Sequence, residues 1–174
     1  MSSKDWSIQR IAFVLTQLAL NDNGSYGSDR TITHIIRSEK SQTILPLIKK
    51  AVSKDAILMS DFGGAFNMIE PTLGITHLRV NHSVQYQDEF GVNNNQAESF
   101  FSRIRRAEYG TYNGISKNYL AFYAAEFAYR NDSKHKGIEE RFDNMLTQIL
   151  KREPSKAFCG YSQGNRLGFE YCRD

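Results

Sequence analysis

Ala56-Ile57-Leu58-Met59-Ser60-Asp61-Phe62-Gly63-Gly64 is the stretch on which the fold turns. Its four apolar residues run without alternation and are too few for a helix, the pattern of a strand covered on both faces in a parallel sheet. An acid closes the run, and open α/β sheets gather their ligand sites at the carboxyl ends of such strands. The two glycines leave room for a backbone or a phosphate to come close. A plainer role is equally available to Asp61, as the cap of the short helix expected through Glu70.

Upstream, Ser41 to Val52 puts Leu45, Ile48 and Val52 on one helical stripe, with Pro46 tolerated only near the first turn. Before it, Ile11–Leu20 and Thr31–Ile36 read as two strands joined by the turn signal Asn21-Asp22-Asn23-Gly24, with a loose tip that includes Ser25 to Asp29. Downstream, Thr76 to Val80 reads as a strand, followed by helices at Gln96–Glu108, Ser116–Arg130 and Ile138–Lys151. The second of these places Leu120, Tyr123, Phe127 and Ala128 on one face. The third repeats apolar residues at Ile138, Phe142, Met145, Leu146 and Ile149. Strands alternating with helices predict an α/β fold, a mixed sheet flanked by helices. Residues 1–153 form one unit, and residues 154–174, with Gly160, Gly164 and Gly168, show no period and read as an irregular tail.

The chain has 174 residues, 40% hydrophobic and 24% charged, enough to bury a sizeable core in a globular domain. A net charge of +3 permits a nucleic-acid partner without demanding one. Cys159 and Cys172 lack CxxC spacing, which argues against a zinc site or a disulfide framework and for spare thiols in a reducing compartment. No apolar run approaches the roughly 20 residues of a membrane span. The start, Met-Ser-Ser-Lys-Asp-Trp, has no signal-peptide apolar region, so the expectation is a cytoplasmic protein.

A second carboxylate, Glu98, lies near the start of the Gln96–Glu108 helix. At about 100° per residue it shares a stripe with Ser102 and Arg105, while Ala97, Phe101 and Ile104 take another side. The helix can thus bury one side and aim Glu98 along the sheet's edge; a solvated glutamate favoured by the helix dipole is the plainer account. Cleavage and joining of phosphodiesters use divalent ions held by carboxylates from separate elements, and Mg²⁺ or Mn²⁺ needs neither His nor Cys. Asp61 and Glu98 could supply such a pair. Arg105, with Arg103 and Arg106 beside it, would point cations at a DNA backbone, unless the three are an ordinary solvated face.

Several segments in order then carry a resemblance. They are Ser60-Asp61 with Phe66; Val80-Asn81-His82-Ser83; Asn95-Gln96-Ala97-Glu98-Ser99-Phe100-Phe101-Ser102; Arg105-Arg106; Gly110; and Ala125-Glu126-Phe127-Ala128-Tyr129-Arg130-Asn131. With the 37-position step from Asp61 to Glu98, they resemble the catalytic domain of the ISXO-like insertion-sequence transposases of the DDE superfamily, over roughly residues 8 to 150. The resemblance implies a ribonuclease-H-like fold, with Asp61 as second and Glu98 as third metal-binding carboxylate. Arg105 becomes the basic residue seven positions beyond the glutamate. It also implies His82 at a phosphate or water, or as a structural link at a strand end, and Asn95 at a phosphate or as a helix cap. The implied setting is a bacterial cytoplasm at the nucleoid. The implied partners are the insertion-sequence ends and target DNA, with a homo-oligomer assembled on them and no membrane.

One departure matters. A ribonuclease-H-like sheet starts with three antiparallel strands and carries its first metal-binding Asp on the first, whereas two strands are legible here before the first helix. Ile11–Leu20 holds no acid and Asp22 falls in the turn beyond it. The resemblance therefore places the first strand and its Asp before residue 1; Asp5 is a weak substitute, because Lys4-Asp5-Trp6-Ser7 does not read as a buried strand. Three functions follow: a transposase domain, inactive if that Asp is missing; a nuclease of the same fold; or a DNA-binding remnant without chemistry.

Overall fold

The computed structural model describes residues 10–20, 26–80, 95–116, 119–153 and 172–173. Strands β1 (Ile11–Leu20) and β2 (Tyr26–Ile36) lead into helix α1 (Ser41–Ala51) and strand β3 (Ile57–Asp61). A 3-10 turn at Gly64–Phe66 and helix α2 (Ile69–Leu73) connect to β4 (Thr76–Val80). Helices α3 (Asn95–Tyr109), α4 (Leu120–Asp132) and α5 (Ile138–Lys151) follow, and β5 (Cys172–Arg173) closes the order. The α/β class expected from the sequence is the one observed.

β1 and β2 form the antiparallel hairpin that the turn signal announced, from Ile11 opposite Ile36 to Leu20 opposite Tyr26. β2 is longer than its apolar run suggested. The register slips by one between Gln17–Arg30 and Leu18–Ser28, so Asp29 bulges and Ser28 continues the strand. Ser28 and Thr31 are buried there, for a reason that lies in α4. Within the tail, Cys172 and Arg173 pair parallel to β2 at Ile35 and Ile36, so the tail is not wholly irregular.

The strands do not join into the single mixed sheet that was expected. They form a three-stranded sheet ordered β1-β2-β5 and a two-stranded parallel sheet of β3 and β4. β3 is accordingly less covered than its composition predicts: Ile57 is 59% exposed, Leu58 and Met59 are half-buried, and Ser60 is its buried member. A strand paired along one edge cannot be shielded like a central one.

Two apolar clusters hold the elements. The first joins the hairpin, α1, α2 and the start of β4 through Phe13, Ile36, Ile44, Leu47, Ile48, Ile69 and Ile75. The second packs α3 and α4 over β1 through Phe100, Ile104, Ala128, Phe127 and Val14. Pro46 lies in the second turn of α1, not the first, so the helix lacks the bond a residue-46 amide would give to Gln42. Burial of the flanking Ile44, Leu47 and Ile48 offsets that defect. Gly74 ends α2 at φ 66, the left-handed position that suits glycine.

Candidate functional site

Asp61 is the last residue of β3 and is exposed. Its Oδ1 accepts a hydrogen bond from the Gly63 amide at 3.1 Å, so the capping role foreseen for it is present, on the turn and not on a helix. Gly63 sits in a tight place: a Cβ there would lie 3.1 Å from Asp61 Oδ1 and 3.2 Å from the Phe66 ring, so these side chains would have to shift slightly. Beneath Asp61, the buried Ser60 hydroxyl donates to the Asp61 carbonyl at 2.8 Å and meets His77 Nε2, on β4, at 2.9 Å. With its proton so engaged, the serine oxygen is left to accept from a neutral His77. Burial, and secondarily Arg79, lowers the His77 pKa and favours that neutral form. Beside Asp61, Arg79 lies 5.1 Å from the Phe62 ring centroid and donates to Asn67 Oδ1 at 2.5 Å. His77 and Arg79 were missed from sequence, because neither stands out until β4 is laid beside β3.

α3 presents the stripe its periodicity predicts. Glu98, Ser102 and Arg105 are exposed, with Arg106 next to them, while Phe100 and Ile104 are buried. Glu98 stands in the first turn and Asn95 opens the helix. Arg103 departs from its neighbours. Its Nη2 donates to Asn131 Oδ1 on α4 and its Nε to the Ser99 carbonyl at 3.2 Å, so the guanidinium braces two helices. Burial, aided by Arg106, pulls its pKa below the ordinary value without threatening its charge. The anticipated contact of His82 with a phosphate lies outside the described residues, as does Asp5.

One groove is lined by both elements that carry the carboxylates. Ala56 to Met59, just before Asp61, and Gln96 and Ala97, just before Glu98, line the same cavity of about 640 Å³. Asp61 and Glu98 do not themselves line it; they follow these lining residues at a strand end and in the first turn of a helix. Both are exposed oxygen donors, the type a hard divalent ion takes, and two of them suit an ion that keeps waters or substrate oxygens as its remaining ligands. Among the described residues no three His, Cys, Asp or Glu side chains come together as a metal cluster.

A second polar centre, unforeseen in sequence, fixes α4 to the hairpin. The Asn131 side-chain amide, fully buried, donates to Ser28 Oγ at 2.6 Å and Thr31 Oγ1 at 2.9 Å. Asp132 accepts from the Thr31 amide at 2.8 Å and from its hydroxyl at 2.6 Å. These bonds explain why two hydroxyl residues of β2 are buried: each has a partner that arrives from about 100 positions away.

Among known proteins, the family model for the ISXO2-like transposase domain matches residues 9–132. A Haemophilus influenzae protein described as "Uncharacterized transposase-like protein" is 26% identical over 122 residues, which cover 70% of this chain and 94% of that protein. No solved structure matches the chain.

Proposed function

The chain belongs to the ISXO2-like transposase domain family, and from that premise we propose that it is a catalytic domain that cuts and joins DNA with Mg²⁺ or Mn²⁺ held by Asp61 and Glu98. The observation that supports this reading is the placement of two exposed carboxylates, Asp61 at the end of β3 and Glu98 in the first turn of α3. The proposed core is ribonuclease-H-like, with the metal-binding edge at the end of β3.

Bound divalent ions would activate the attacking hydroxyl and stabilise the departing oxygen. The chain's own residues do the rest. Gly63 orients one oxygen of Asp61, Oδ2 would be the oxygen offered to a metal ion, and Ser60 with His77 holds the backbone beneath it. Arg105 and Arg106 offer phosphate contacts along the stripe that starts at Glu98, and such contacts position DNA without reading its sequence. Arg79 and Asn95 flank the ends of the two carboxylate-bearing elements. The DNA partner follows from the family; no described helix is long and apolar enough to cross a membrane.

A second reading, DNA binding without chemistry, is favoured by the exposure of Arg105 and Arg106, whose charge holds DNA whether or not the carboxylates act. Nicking of supercoiled plasmid by the purified chain in Mn²⁺ or Mg²⁺ separates the two. Metal-dependent nicking that disappears in Asp61→Asn and in Glu98→Gln is the expected result. Salt-sensitive DNA binding with no nicking, unchanged in both variants, would leave the binding reading standing and end the catalytic one. In either case Arg105→Ala should weaken DNA binding evenly across sequences and lower the salt slope by about 1.

A further inference from the structure

Phe62 follows Asp61 directly and is 57% exposed. A single apolar residue at the surface is ordinary, and what distinguishes this one is its company. The Arg79 guanidinium lies over the ring, with its central carbon 5.1 Å from the centroid. Asn67 Oδ1 accepts from Arg79 Nη1 at 2.5 Å, so the guanidinium is held by a hydrogen bond as well as by the ring. β4 sets Arg79 opposite Ser60, one place before Asp61, and Arg79 is itself exposed. Its bond to Asn67 engages one of the guanidinium's several N–H donors, whose fork matches a phosphate. A Cβ built on Gly64 would meet nothing within 4 Å, so the turn that carries Phe62 borders open space.

We propose that Phe62 and Arg79 form a stacking site for one unpaired nucleotide of the DNA strand held at Asp61. Phe62 takes the face of the base and Arg79 the adjoining phosphate. The proposal rests on the reading of Asp61 as a DNA-cleaving carboxylate and adds to it the state of the strand at the cut.

The pairing of groups selects that ligand. A nucleotide joins a flat π-face to an anion, and here an aromatic ring and a cation stand side by side. An apolar side chain of a protein partner would use the ring and leave the guanidinium unmatched; a free phosphate would do the reverse. Aromatic rings beside basic groups hold single strands in a sequence-tolerant way, because every base has a π-face. The base has to be unpaired, since a stacked duplex covers both of its faces and a base reached by a protein ring must leave that stack. Adjacent Cα atoms are about 3.8 Å apart, so a base on Phe62 belongs to a nucleotide beside the phosphate at Asp61. The duplex is then frayed next to the cut.

Fluorescence anisotropy on the full chain in EDTA tests the site with a pair of labelled duplexes. One ends flush, and the other ends in unpaired, non-complementary tips on both strands. The expected result is that the frayed duplex binds about tenfold more tightly than the flush one. Phe62→Ala should bring that ratio close to one, and Phe62→Trp should keep it. Abasic positions in the tips should abolish the preference of the unaltered chain, a reading of the same contact that needs no variant. Equal binding of both duplexes would overturn the stacking site. So would a preference that survives abasic tips, or one that survives Phe62→Ala. Plasmid nicking is scored separately. Nicking without the preference ends the stacking site and keeps the catalytic reading; the preference without nicking keeps the stacking site and ends the catalytic reading.

Discussion

α4 and α5 are neighbours of almost equal length, 13 and 14 residues, and both show an apolar stripe in sequence. α5 is the more regularly amphipathic of the two, yet it buries none of its residues: Ile138, Ile149 and Leu150 are 80%, 61% and 75% exposed. α4 is less regular, and it packs across β2 with Ala124, Ala128 and Asn131 buried. A stripe records that a helix has one apolar side; what lies against that side is a separate fact. On α4 the buried line even runs beside the expected one, centred on two alanines and an asparagine. Small residues let the helix approach β2 closely, and Asn131 then satisfies hydroxyls that closeness would otherwise strand.

The comparison can be broken first at its strongest point. Asn131→Leu removes the buried amide's bonds to Ser28, Thr31 and Arg103, which keep only their contacts with one another, Asp132 and Ser99, and should cost about 3 kcal/mol of stability. Urea denaturation measures it, and a loss under about 1 kcal/mol would show that apolar packing alone anchors α4. Asp132→Ala removes the acceptor of the Thr31 amide and hydroxyl and should cost about 2 kcal/mol by the same assay. In the wild-type chain, amides in the middle of α4 should exchange more than tenfold more slowly than those in the middle of α5, since tertiary packing rather than propensity supplies most helical stability. Equal protection would mean that α5 is covered after all.

Smaller effects sharpen the contrast. The double change Ile149→Ser with Leu150→Ser should alter stability by no more than about 0.5 kcal/mol, as exposed positions generally do. The smallest effect is expected outside both helices, at His77. Its folded pKa is lowered, chiefly by burial, from an ordinary 6.5. The unfolded chain then binds the proton more readily, so this contribution to stability is fully present above pH 6.5 and lost as pH falls from that value through the lowered folded pKa. His77→Gln should flatten that part of the stability-against-pH profile, read by thermal melting between pH 7 and 5.

Where the candidate site's residues lie on their elements was legible because it depends on local order. Asp61 at a strand end, glycines after it, and Glu98 in line with Ser102 and Arg105 are statements about neighbours along one element, which backbone periodicity fixes. Arg103 was grouped with Arg105 and Arg106 as a DNA contact, but two positions along a helix is about 200° of rotation, and its side chain turns inward to Asn131. His77, Arg79, Ser28 and Asp132 carried no signal of their own, since a polar residue in a strand reads as edge or loop until its distant partner is known.

By itself, then, the sequence determined the α/β class, the order of the elements up to α5 and the membership in a transposase family, because periodicity, turn chemistry and ordered motifs are encoded locally. Tertiary structure alone decided which stripe is covered, why two hydroxyls of β2 sit in the interior, and that the strands divide into two sheets. Those outcomes depend on pairing between segments far apart in the chain, and the free energy of a buried polar group or a strand edge is set by whatever partner arrives there.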